Sequence, residues 1–131
     1  YGDAVINGDL PKPRAAVVID GPLRTAPFVG VDEAICGQPV IVPLMGGTPD
    51  DVPARYAMLD PLVNKPLVKR LLVVDGALPD PEPAVIAGLR AQGIAVEVIR
   101  VSQEQHFNML VPGTKDFAAI GPALLDIAGG R

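Results

Sequence analysis

Leu71-Leu72-Val73-Val74-Asp75-Gly76-Ala77-Leu78-Pro79-Asp80, at the head of the stretch from Val68 to His106, decides the fold. The apolar run Leu71-Leu72-Val73-Val74, within a strand expected over Val68 to Asp75, is too continuous for a strand with one wet face and predicts a strand covered on both sides. Asp80 then leads Pro81-Glu82-Pro83 into Ala84 to Gln92, where Val85, Ile86 and Leu89 share one helical face and Gly93 is placed to end the helix. Ile94 to Val101 predicts the next strand, and the alternation of Val96 and Val98 with Glu97 and Arg100 suits an edge position. Strand, helix and strand in that order make a parallel βαβ unit. His106 follows its second strand, so a carboxylate and an imidazole arrive past the C-terminal ends of neighbouring strands, the edge at which open α/β sheets gather ligands and chemistry.

Upstream, residues 1–14 are polar and carry Pro11 and Pro13, and read as a connector to Ala15-Ala16-Val17-Val18-Ile19-Asp20, a first buried strand. Gly21-Pro22 ends it. Prolines and glycines cut every period from 23 to 47, which predicts loop and short helix. Thr48-Pro49-Asp50-Asp51 has the form of a helix start over about 49–58, with a hydroxyl N-cap, proline at the first position and acids in the first turn. Downstream, Phe117 to Ile127 predicts a closing helix with an irregularity at Gly121-Pro122. The fold class is therefore α/β, a parallel sheet with flanking helices, whose first strand exposes an apolar edge unless something pairs with it.

The chain has 131 residues, of which 49% are apolar and 20% charged, rich in core for one small domain and suggestive of a larger fold or a partner. A net charge of -4 without a basic stripe argues against nucleic acid, and no polybasic anchor or long apolar run points to a membrane. One cysteine, Cys36, and one histidine give neither a disulfide framework nor a metal-ligand set, and no cofactor-binding pattern is present. Tyr1 in place of an initiating Met points to a processed product or a fragment, which leaves the compartment open.

Five pieces fall in order along the chain: Gly46-Gly47-Thr48-Pro49-Asp50-Asp51-Val52-Pro53-Ala54-Arg55-Tyr56-Ala57, then Asp60-Pro61, then Leu71-Leu72-Val73-Val74-Asp75-Gly76 with Asp80, then Gly93-Ile94-Ala95-Val96-Glu97-Val98, then His106-Phe107. Together they resemble the C-terminal half of α/β-hydrolase esterases of the feruloyl-esterase-like, lipase-like and kynurenine-formamidase-like group. The resemblance implies that the three strands are the last three of the hydrolase sheet, that about 22–67 is a cap or insertion over the substrate pocket, and that a separate N-terminal chain completes the domain of which 1–131 is the C-terminal part. It matches Asp80 to the triad acid and His106 to the general base. Asp80 lies one position further from Gly76 than the family's Gly-x-x-Asp, with Glu82 in reserve, and Asp60-Pro61 stands where Ser-Pro is common.

The nucleophile is missing. No Gly-x-Ser-x-Gly elbow occurs, and the only serine, Ser102, lacks those flanks. The resemblance thus implies a serine esterase chain that acts only with a partner carrying the elbow, on small carboxylic esters or a formamide-type amide. The alternative is a non-catalytic structural or binding subunit derived from such a hydrolase. Plainer roles are available to most of these residues: Asp80 as an N-cap, Asp75 as an acceptor of backbone donors, Cys36 as a small buried side chain, Gly46-Gly47 as a turn, and Met45, Met58 and Met109 as core filler.

Overall fold

The computed structural model describes residues 7, 8, 10–78, 82–102 and 106–129. They form two compact units: the described residues up to Gly21 together with those from Pro66 onward, and Pro22–Lys65.

The first unit is an α/β layer. Strands β1 (Ala15–Ile19), β2 (Arg70–Asp75) and β3 (Ala95–Arg100) lie in the order β1-β2-β3, all parallel. Ile19 pairs with Val74, and Val74 with Ile99, so the three strands end level at one edge. Alternation along β2 divides its side chains between two faces. Leu72 and Val74 pack with Met109 and Ile120, and Ala123, Leu124 and Ile127 of helix α5 (Lys115–Ala128) close over them. Leu71 and Val73 are buried on the opposite face. Helix α4 (Pro83–Ala91), whose Val85, Ile86 and Leu89 are buried, packs on β3. Leu72, Leu89 and Ile120 are fully enclosed, each worth roughly 1.5–3 kcal/mol relative to exposure. Continuous apolarity in β2 is thus explained by cover on both faces.

Helix α5 differs from expectation at two points. It begins at Lys115, because Thr114 caps it by accepting the Phe117 N–H at 3.1 Å, and it runs through Pro122 without a break. The proline removes one backbone donor, but Ile120, Ala123, Leu124 and Ile127 anchor the helix on both sides of it. Helix α4 begins at Pro83 with Glu82 at its N-cap position.

The second unit contains a 3-10 turn (Ala26–Phe28) and three short helices, α1 (Val31–Cys36), α2 (Ile41–Met45) and α3 (Pro53–Leu59). Ile41, Met45 and Tyr56 form its core, with Ala26, Phe28, Val29 and Val52 against them. Burial, with the charges of Asp32 and Asp51 nearby, pushes the Tyr56 phenol up from its ordinary value, and its hydroxyl donates to the Gly47 carbonyl at 3.0 Å.

The helix expected from Pro49 starts instead at Pro53. Thr48 and Asp51 do make reciprocal bonds, Thr48 Oγ1 donating to Asp51 Oδ2 at 2.7 Å and the Asp51 N–H to Thr48 Oγ1 at 3.3 Å, but they close a turn. Pro53 cannot donate and its ring opposes a helix already running, so the helix begins with proline at its first position.

Candidate functional site

At the end of β1, Asp20 adopts φ 46, the only positive φ among the described non-glycine residues, in a region aspartate tolerates better than most. Its N–H still donates to the Val74 carbonyl at 2.8 Å, extending the ladder by one bond. Its side chain reaches over the exit of β2. Oδ1 accepts from Gly76 N–H at 3.1 Å and Leu78 N–H at 3.0 Å, and Oδ2 accepts from Ala77 N–H at 3.1 Å. Three successive backbone donors converge on one buried carboxylate, as an anion is held in a backbone nest.

Oδ2 has a further partner. Nδ1 of His106 lies 2.6 Å away, a short hydrogen bond. The Asp20 side chain is 2% exposed and that of His106 38%, so the carboxylate faces inward while the ring borders solvent. With a carboxylate oxygen as acceptor, the neutral ring that matches this contact carries its proton on Nδ1 and keeps Nε2 as its basic nitrogen.

The segment after β3 is fastened on either side of this pair. The Ser102 N–H donates to Asp116 Oδ1 at 2.9 Å and Ser102 Oγ to Oδ2 at 2.6 Å, bonds that hold the Asp116 carboxyl below its ordinary value, the hydroxyl bond most. Thr114 Oγ1 donates to the carbonyls of Asn108 and Val111 at 2.7 and 2.8 Å, closing the loop onto the start of α5. Met109 is fully buried in that loop. Phe107 meets the imidazole edge-on, with centroids 4.7 Å apart and planes at 74°, while remaining 74% exposed. It gives the ring an apolar neighbour on its solvent side.

Gly76 makes the close approach possible. A Cβ there would stand 2.7 Å from Met109 Cε and 3.1 Å from both Cγ and Oδ1 of Asp20, so a side chain would crowd both the methionine and the carboxylate.

Of the residues singled out by sequence, His106 occupies the expected sheet edge, whereas Asp80 lies outside the described residues. Asp75 is buried beside the site and meets Arg100 Nε at 3.1 Å through Oδ2. Ser102 has its hydroxyl taken up by Asp116 and serves as an anchor. Gly46 and Gly47 form a turn, Gly46 closing α2 at φ 75. Met45 and Met109 are core, but Met58 is 68% exposed. Cys36, expected inside, is exposed at the last position of α1, because a helix this short buries only Asp32 of its six residues.

Asp20 was missed by sequence reasoning. The signal exists: Ile19-Asp20-Gly21 and Val74-Asp75-Gly76 are the same strand ending, apolar residue, aspartate, glycine. Residue type alone does not choose between them. Register places both at one edge, and the left-handed backbone at Asp20 turns only that carboxylate toward the amides and the ring.

An imidazole oriented by a buried carboxylate at the C-terminal edge of a parallel sheet is equipped to take a proton at Nε2 and return it. No family model, curated protein or solved structure matches the chain, so its own geometry carries the functional reading.

Proposed function

We propose that the chain supplies the general base of a serine hydrolase acting on small carboxylic esters, with the nucleophilic serine contributed by a partner chain that also completes the sheet. The observation that carries this reading is the 2.6 Å contact between His106 Nδ1 and buried Asp20, which leaves Nε2 of a partly exposed ring as the basic atom. Nε2 takes the hydroxyl proton as serine attacks the ester carbonyl, then gives it to the departing alcohol. In the second half it deprotonates water, which releases the acid and restores the serine. A carboxylate behind the ring stabilises each imidazolium that forms. The resemblance assigns that carboxylate to Asp80.

Completion by further strands is supported by β1. Its Ala-Ala-Val-Val-Ile sequence is only half-buried, and in the described sheet it pairs on one side alone, leaving an apolar edge of the kind another strand covers. On this reading the three strands are the closing strands of an α/β-hydrolase sheet, and about 22–67 is an insertion between the first two.

The test begins with a fluorophosphonate probe on the native preparation. Labelling of a co-purifying chain that contains Gly-x-Ser-x-Gly is expected, together with ester turnover that His106→Ala lowers by on the order of 10⁴ or more. Undiminished turnover in that variant removes His106 as the base. A preparation without label or turnover favours a non-catalytic subunit.

A further inference from the structure

We infer that Asp20 is the positioning acid of His106, and that the loop after β2 serves the pair through its backbone, by holding the Asp20 side chain against the ring. This rests on the reading of His106 as a general base and names the group behind it. The two neighbouring loops exchange roles relative to the resemblance: the β1 end delivers the acid, and residues 76–78 deliver three N–H donors to it.

The cradle is built of donors. Both oxygens of Asp20 accept, Oδ1 twice from Gly76 and Leu78, Oδ2 from Ala77 and from His106. Three of these four partners are backbone amides, which can only donate, so both oxygens are engaged as acceptors. An accepting Oδ2 is matched by the Nδ1–H tautomer, the one that presents a basic Nε2. Gly76 is part of the device because only a residue without Cβ lets the carboxylate sit against the strand exit.

The chain has one histidine, so a single imidazole spin system reports on the arrangement. Nitrogen-15 spectra of the neutral ring distinguish a protonated from an unprotonated nitrogen, and the expected wild-type result is a proton on Nδ1. In Asp20→Asn the amide oxygen keeps two backbone donors while the NH₂ takes the place of Oδ2. That group donates, so Nδ1 must accept and the proton moves to Nε2, a shift from predominantly Nδ1–H to predominantly Nε2–H. Asp80→Asn leaves the proton on Nδ1.

A wild-type ring protonated on Nε2 overturns the inference. So does a folded Asp20→Asn chain with an unchanged tautomer, or an Asp80→Asn chain in which the proton moves. Should Asp20→Asn fail to fold, the wild-type and Asp80→Asn spectra decide. These spectra record the place of a proton and no acyl transfer. A silent fluorophosphonate assay beside the expected tautomers refutes the hydrolase reading alone, and labelling beside an Asp80-dependent tautomer refutes the Asp20 assignment alone.

Discussion

Asp20 and Asp32 are solved in the same way and used differently. Each is nearly buried, at 4% and 5% exposure, and each gathers backbone donors into one carboxylate. Asp32 accepts from Gly30 N–H at 2.9 Å, Val40 N–H at 2.7 Å and Ile41 N–H at 2.8 Å, all within nine positions of itself, and so closes a local loop between α1 and α2. The amides on Asp20 come from 56 to 58 positions away, and its fourth partner is a half-exposed imidazole 86 positions away. Burial and bond count do not separate a structural carboxylate from a chemical one. What separates them is whether one partner can change its own protonation state and meets solvent.

Acid strains this comparison most. Bonds from the Ile41 and Val40 amides, those two the strongest, hold the Asp32 carboxyl below its ordinary value of 3.8. The unfolded chain therefore binds the proton first as pH falls. The stability Asp32 contributes is complete above the unfolded value and is lost as pH drops below 3.8 through the folded one. Asp116 follows the same sign, its carboxyl held down by the Ser102 hydroxyl and amide. Amide spectra are expected to lose the folded signals of Val40, Ile41 and Ser102 on acidification below 3.8. Val40 and Ile41 signals unchanged in Asp32→Ala at neutral pH remove Asp32 as the clasp of that loop.

Gly76→Ala tests the other aspartate. The new Cβ falls 2.7 Å from Met109 Cε and 3.1 Å from Asp20 Cγ, and relieving such overlap in a packed site costs about 1–3 kcal/mol. A lowered Tm is expected, together with a displaced His106 ring resonance, because the carboxylate that must yield is the one bonded to the ring. Strain with an unmoved ring resonance indicates that Met109 gives way and that the pair does not depend on the close approach.

The layer was legible because its signals are local. Unbroken apolarity marked β2, the spacing of Val85, Ile86 and Leu89 marked α4, and Glu97 with Arg100 marked the edge strand. Three parallel strands with flanking helices followed. The helix starts were less legible, because Thr48-Pro49-Asp50-Asp51 carries real capping chemistry that Pro53 diverts into a turn, a competition between two local rules. His106 was found by its place after the last strand. Asp20 was not, since register brings it and Asp75 to the same edge and what distinguishes them there is one backbone dihedral, which is not written in residue types.

The smallest expected effect contrasts the lone histidine with the lone cysteine. His106 is fastened to a buried acid, whereas Cys36 stands exposed at the end of the helix whose first turn carries Asp32. Replacing an exposed thiol by a hydroxyl of similar size removes little packing, so Cys36→Ser is expected to change stability by no more than about 0.5 kcal/mol. Alkylation of native Cys36 should proceed at the rate of a solvent-accessible thiol and leave the His106 ring spectrum unchanged. A larger loss in thermal denaturation, or a thiol that reacts only after unfolding, returns Cys36 to the interior its residue type suggested and requires α1 to bury more than Asp32. Retained stability with fast alkylation instead fixes where the two units differ: the second clasps its loop with a carboxylate and leaves its reactive atom outside, while the first joins carboxylate and reactive ring in one device.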